Sequence, residues 1–180
     1  MITPESMVEL RFRRMKLEDV EQVYAIDVLS FALPWSERSY RFELTENRNS
    51  RTWVAEALDG HGRAQVVGMI VVWVILDEAH VATIAILPEF RRMHIGQRLL
   101  ALALEDAVQS GATQAYLEVR RTNLAAQNMY QRFGFIVNGV RPRYYLDNGE
   151  DALLMMLNPI QIETFRQFGG VKPPDEEGSH

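Results

Sequence analysis

The sequence has no cysteine and only four histidines among its 180 residues. Thiol redox chemistry, a cysteine nucleophile and a disulfide framework are all excluded. His61, His80, His94 and His180 are too scattered to build a structural zinc site, so no metal is expected. Long apolar runs are missing too. The longest, Val66 to Leu76, is interrupted by Gly68 and Trp73 and is about half the length of a membrane span. It reads as a buried strand, and no membrane partner is expected. Residues Met1 to Glu9 carry two acids and no basic segment ahead of an apolar run, unlike a secretory or transit leader. The expected location is the cytoplasm. An excess of positive charge is also absent: the formal net charge is −5, which argues against general nucleic-acid binding and for a basic or cationic partner.

With 47% hydrophobic and 24% charged residues, the chain has the make-up of an ordinary globular domain, and at this length roughly 70% of the unfolded surface is buried on folding. The expected folded unit spans residues 8–158. Residues 159–180 form an extension, and the Gly, Pro and acid composition beyond Phe168 predicts a largely disordered tail. Val8 to Met15 alternates as a half-buried strand. Lys16 to Ser30 changes to helical spacing, with Val20, Val23, Tyr24, Asp27 and Val28 on one face, and Leu33-Pro34-Trp35 stops it. Ser36 can cap a second helix over Glu37 to Glu46. Strands follow at Thr52 to Leu58 and Ala64 to Leu76, paired as a hairpin through Asp59-Gly60-His61-Gly62-Arg63. A turn at Asp77-Glu78 leads to a strand over His80 to Leu87. Ile95 to Ser110 is a strong amphipathic helix ended by Gly111. Gln114 to Val119 is a strand, Leu124 to Arg132 a helix capped by Asn123, and 135–146 with 151–157 a final hairpin. A strand–helix–strand unit over residues 80–119 demands a parallel crossover, so the fold class is α/β with a mixed sheet of about seven strands and about four helices.

The richest stretch for chemistry runs from Ile84 through Pro88-Glu89-Phe90-Arg91-Arg92-Met93-His94-Ile95-Gly96-Gln97 to Leu100, where a strand passes through a basic turn directly into a helix. Amides at a helix start have no intrahelical partner and sit at the positive end of its dipole, here beside Arg91, Arg92 and Arg98. That suits a pyrophosphate. An ordinary connection with solvated arginines is the alternative. There is no G-x-G-x-x-G and no Walker loop, which disfavours dinucleotide oxidoreductases and P-loop enzymes.

Arg91-Arg92-Met93-His94-Ile95-Gly96 resembles the Q/R-x-x-G-x-G/A acetyl-CoA signature of the GNAT superfamily of N-acetyltransferases, with Arg91 and Gly96 matching and His94 standing at the first glycine position. Further matches are Leu117-Glu118-Val119-Arg120, Asn123, Ala125-Ala126, Tyr130, Phe133-Gly134-Phe135, Pro34-Trp35-Ser36-Glu37, Leu76-Asp77-Glu78-Ala79, and Arg143-Tyr144-Tyr145 leading to Glu150-Asp151-Ala152. Together they are similar to the branch of the superfamily that acetylates ribosomal-protein N-termini. The likeness runs from about Leu10 to Leu157.

The resemblance implies that an amine attacks the acetyl thioester of acetyl-CoA directly, with no covalent enzyme intermediate. It implies Glu118 as proton acceptor through water and Tyr130 as proton donor to the CoA sulfur. The donor would be held by Ile84, Ala85, Ile86, Arg91, Arg92, Met93, His94, Ile95, Gly96, Gln97 and Asn123, with the Ile86 amide at the acetyl oxygen. Trp35, Tyr144 and Tyr145 would clamp the acceptor. As a lone acid in an apolar strand, Glu118 is expected to be desolvated and more basic, or else to be satisfied by Arg120 or Arg121. Core packing is the alternative for Tyr130, helix capping alone for Asn123 and rim packing for the three acceptor aromatics. A side chain at His94 predicts an unusual local backbone. An N-terminal amine titrates at about 7.7 to 8.0 and so is roughly a tenth neutral at pH 7, whereas lysine is neutral in under about one molecule in a thousand. The reading is therefore acetylation of a basic protein N-terminus, of the ribosomal-protein alanine type, by a monomer or weak homodimer. The alternatives are a lysine or small-amine acetyltransferase and a non-catalytic acyl-CoA-binding module.

Overall fold

The computed structural model describes residues 9–168. Seven strands, β1 (Glu9–Arg14), β2 (Ser50–Leu58), β3 (Ala64–Ile75), β4 (Glu78–Ile86), β5 (Gln114–Arg120), β6 (Ile136–Tyr145) and β7 (Glu150–Leu157), form one sheet in the order β1-β2-β3-β4-β5-β7-β6. Four α-helices accompany them: α1 (Val20–Ser30), α2 (Glu37–Thr45), α3 (Ile95–Gln109) and α4 (Leu124–Arg132). Every neighbouring pair of strands is antiparallel except β4 and β5, which α3 connects in parallel. The α/β fold with a mixed sheet is the one the sequence predicts.

Because β3 is central, both its faces are covered and Val66 to Val72 is buried without a break, which explains a continuous apolar run in place of an alternating one. Gly68 faces α3: a Cβ there would meet Ile86 Cδ1 at 2.6 Å and Ile95 and Leu99 at 3.2 Å. The alternate side chains, including Met69 and Trp73, face the layer of α1 and α2. Helix α3 packs Leu99, Leu100, Ala103 and Leu104 into the core with no exposure. The edge strand β1 is fastened by charge: Arg11 and Arg13 bind Glu56, Arg13 also binds Asp19, and Arg14 binds the buried Asp106.

The expected helix over 16–30 is divided, with a 3-10 turn at Leu17–Asp19 before α1. Asp19 accepts a hydrogen bond from the Lys16 amide at 2.7 Å while paired with Arg13, and this local bond tightens the first turn. The face of α1 also shifts: Ile26 is buried in place of Val28. The turn after β3 falls at Leu76, whose φ is 56°, so β4 starts earlier than expected.

Order continues beyond the expected end at 158. A 3-10 helix at Ile162–Phe168 lies on α3, with Phe165 fully buried and Phe133 packed 5.0 Å from Phe165 and 4.4 Å from Phe168. The tail beyond Phe168 lies outside the described residues. Phe165→Ala is expected to cost about 3–5 kcal/mol, as for other large-to-small core changes, measured by chemical denaturation. A loss under about 1 kcal/mol would mean that this segment contributes little to the fold.

Candidate active site

The site begins where β4 and β5 part. Their parallel ladder holds only Glu78↔Gln114, Ala79↔Ala115 and His80↔Tyr116, after which Val81 to Ile86 and Leu117 to Arg120 no longer pair and the sheet is left open as a cleft. His80 and Tyr116 stack at 5.5 Å on this last rung. The Leu87 amide donates to the Val67 carbonyl of β3 at 2.9 Å. Peptide groups alternate in direction along a strand, so the amides of Ile86 and Ile84 point away from β3 and into the cleft. Arg91 Nε donates to the Ile86 carbonyl at 3.2 Å, closing the outer end of β4.

The turn into α3 has two left-handed residues flanking Met93, Arg92 at φ 66° and His94 at φ 59°. The unusual backbone expected at His94 is present. No side chain caps α3 and no acid lies in its first turn. Its leading amides, from Ile95 through Gln97, therefore meet no capping side chain and no acid of their own turn, and alternating backbone conformations of this kind form anion-binding concavities. His94 is exposed, and its Nδ1 lies 3.2 Å from Gln97 Oε1. The Ile95 side chain is buried, leaving only its backbone for a ligand, and Gly96 faces Met129 of α4, whose Sδ lies 3.4 Å from where a Cβ would be. Arg98 does not join the turn. Its guanidinium lies over the Phe12 ring at 4.1 Å, where burial lowers its pKa. Of the three expected arginines, only Arg91 and Arg92 stay at the mouth.

On the other arm of the cleft, β5 alternates: Ala115, Leu117 and Val119 are buried toward α3, while Tyr116, Glu118 and Arg120 face the side of α1 and α2. Those helices pack over β2, β3 and β4, so Glu118 is solvent-exposed. The desolvated carboxyl expected here is thereby corrected. Its ion pair is also not with Arg120 or Arg121 but with Arg141 of β6, at 3.3 Å. Arg120 instead pairs with Asp147 and Glu150 and lies 3.8 Å from the centre of the Tyr145 ring.

Tyr130 of α4 is buried, 5.9 Å from the Phe135 ring. Burial, reinforced by Tyr145, raises its pKa well above the ordinary tyrosine value, so its proton is firmly held. Tyr145 is pushed up to about 12, chiefly by burial. Asn123 caps α4, its side chain accepting from the Ala126 amide at 3.1 Å. Tyr144 and Tyr145 meet edge to face at 5.2 Å, and Arg141 lies 5.5 Å from the Tyr144 ring. Trp35 is elsewhere, with ring contacts to Tyr40 at 5.4 Å and Trp73 at 6.1 Å. The structure thus brings Glu118, Tyr144 and Tyr145 together through Arg141 and Arg120, and places Trp35 with Trp73 across the same sheet face. Arg141 was not foreseen, and Glu150, though part of a matched segment, had no expected role. Among the described residues no group of acids and histidines could hold a metal, and no helix is long and apolar enough to cross a membrane.

A sheet opened at one parallel pair, with an uncapped helix start at its mouth, is the arrangement of a GNAT-type N-acetyltransferase. The sequence profile of the acetyltransferase (GNAT) family matches residues 20–135, and the chain belongs to that family. It is 41% identical, over 79% of its length and 91% of the relative's, to a Bacillus subtilis protein provisionally named as a ribosomal protein bS18-alanine N-acetyltransferase. It is 31% identical, over 82% of its length and 96% of the relative's, to the ribosomal protein bS18-alanine N-acetyltransferase of Escherichia coli K12. The crystal structure of the ribosomal-protein-S18-alanine N-acetyltransferase from Escherichia coli superposes with a TM-score of 0.73 at 28% identity, covering 85% of this chain and 95% of that one. The protein is an N-acetyltransferase.

His94→Gly is expected to stabilise the fold by about 0.5–1 kcal/mol. Relief of a left-handed conformation is worth roughly 1–2 kcal/mol, and the freer unfolded chain offsets part of it. Destabilisation in a thermal or denaturant melt would show that the His94–Gln97 contact outweighs the strain. Glu150 supplies a second expectation. Its carboxylate accepts bonds from the Thr122 hydroxyl and amide and from Arg120, which hold its pKa down to about 2. A depressed folded value means a contribution fully present above the unfolded value of about 4.3 and lost as pH falls through about 2. Glu150→Gln should flatten the dependence of stability on pH across that window, and denaturation curves matching the parent at every pH would refute it.

Proposed function

We propose that the protein acetylates the N-terminal α-amine of a protein, of the ribosomal-protein alanine type, with acetyl-CoA as donor and no covalent enzyme intermediate. The observation that carries this reading is the cleft itself, which offers the Ile86 amide on one arm and Glu118 on the other. The uncapped start of α3, with Arg91 and Arg92 beside its left-handed turn, fits the pyrophosphate of CoA. The relatives named for acetylating the alanine of bS18 support the acceptor class.

The donor supplies an acetyl thioester. In direct transfer a carbon–nitrogen bond forms to the acceptor as the carbon–sulfur bond breaks. Glu118 takes the ammonium proton, and its exposure suits a relay through water. The Ile86 amide donates to the carbonyl oxygen, where charge develops; a preorganised donor of this kind is worth about 3–4 kcal/mol. Tyr130 donates its hydroxyl hydrogen to the departing sulfur; a thiolate is a weaker base than a phenolate, so the proton passes to sulfur only as the acylated nitrogen gives up its second proton and restores the phenol. Trp35, Tyr144 and Tyr145 provide rigid aromatic walls with polar tips for the acceptor chain. The net negative charge favours a basic one.

Glu118→Gln and Tyr130→Phe should each lower kcat by about 10²–10⁴ with little effect on acetyl-CoA affinity, the first most strongly at low pH where the neutral amine is scarce. Near-parental turnover in both variants would remove these roles. Mass spectrometry of products from an Ala-starting basic peptide should place the acetyl group on the α-amine. The same peptide with that amine blocked and one internal lysine free should be a poor substrate. Equal acetylation of the blocked peptide would favour the lysine alternative.

A further inference from the structure

Asp27 opens the last turn of α1 and is fully buried. Burial pushes its carboxyl pKa up. Its Oδ2 accepts the backbone N–H of Trp35 at 2.6 Å, and the buried Tyr40 hydroxyl interacts with the same carboxyl. The placement is costly on two counts: a carboxylate is removed from water, and the negative charge sits near the C-terminal, negative end of a helix. A leucine, branched at the same carbon, would avoid both. What a leucine cannot do is accept hydrogen bonds from the Tyr40 hydroxyl and from the loop between α1 and α2.

That loop has little else to hold it. Phe31, Ala32, Leu33 and Pro34 are exposed, and the chain turns from α1 into α2 at Ser36, whose side chain accepts from the Ser39 amide. The short bond to Asp27 fixes the backbone at Trp35, and with it the indole, stacked on Trp73 at 18° and tilted against Tyr40. Trp73 opposes His80 on β4, and His80 opposes Tyr116 on β5, so the indole joins the aromatic row that reaches the apex of the cleft. We infer that Asp27 is a positioning residue for the acceptor: its carboxylate, bonded to the Trp35 amide, sets the loop that carries the acceptor wall. This rests on the reading of Trp35 as an acceptor-site residue.

The test uses the full chain with Asp27→Leu, Asp27→Asn and Trp35→Phe. Two readouts are taken: steady-state constants for an Ala-starting peptide and for acetyl-CoA, and the exciton circular-dichroism band of the Trp35–Trp73 pair. Asp27→Leu is expected to raise the peptide KM about tenfold, with kcat and the acetyl-CoA KM changed less than about twofold, the pattern of lost ground-state binding, and to weaken the exciton band. Asp27→Asn keeps an oxygen for the Trp35 amide and should restore all three constants and the band. An unchanged peptide KM and band in Asp27→Leu would overturn the inference, as would loss of all three constants together or failure of asparagine to rescue. Trp35→Phe separates the two readings. If it leaves the peptide KM unchanged, the acceptor role of Trp35 fails, while the band in Asp27→Leu still reports whether Asp27 sets the loop.

Discussion

The short parallel ladder between β4 and β5 is the constraint on which the rest depends. Three residue pairs close it, and the reason it stops lies in β4. The β3–β4 register passes from Val72↔Val81 to Val71↔Thr83, leaving Ala82 as an unpaired bulge just beyond the last rung. A bulge bends its strand and increases the local twist, so β4 follows β3 while β5 follows β7. Backbone groups that would otherwise pair across the sheet are then left facing a gap. Unpaired backbone groups inside a protein are costly unless water or a ligand satisfies them, and here the gap is open to both.

A sheet parted in the middle needs fastening elsewhere. Helix α3 belongs by its packing to β2, β3 and β4, whereas Phe133 and Phe135 belong to the half containing α4. The C-terminal 3-10 helix contacts both, resting on α3 while Phe168 stacks on Phe133 and Phe165 packs tilted against it. Its aromatic burial replaces part of the cohesion that the missing ladder would have given. The acceptor side is tied differently, by charge. Arg120 reaches from β5 to Asp147 and Glu150 at the β6–β7 turn, and Glu150 reaches on to Thr122 before α4. One cluster therefore links the hairpin bearing Tyr145 to the loop bearing Asn123.

Elements with strong local signals were legible in the sequence. The spacing of α3, the Asn123 cap and the continuous apolar β3 are local properties, and each stands within a residue or two of its expected place. Glu118 illustrates what was not legible. Its isolation among apolar neighbours suggested burial, but alternation turns it to the face that α1 and α2 leave uncovered. Its partner Arg141 comes from β6, two strands away through β7, and a register relayed across a non-consecutive strand cannot be read from either sequence segment. Arg98 shows the same limit, since whether it faces the turn or Phe12 depends on the rotation of α3 over β1. Asp27 stood in plain view as a charge on the apolar face of α1; the bond that accounts for it lies in a loop without periodicity.

The turn before α3 shows how strain is kept where chemistry needs it. Arg92 and His94 both hold left-handed backbones that glycine would adopt without cost. Such conformations persist only where their surroundings over-determine them, and here Met93 between them packs against the core and Ile95 just after them is fully buried. Those two anchors leave the intervening peptides no relaxed alternative, so the amides stay directed at the mouth of the cleft. Had the turn been relaxed, its amides could have rotated toward solvent and an anion would have had to reorder them on binding. Because the anchors are apolar and the amides are not, the core determines the geometry and the charge of the turn remains available to a ligand.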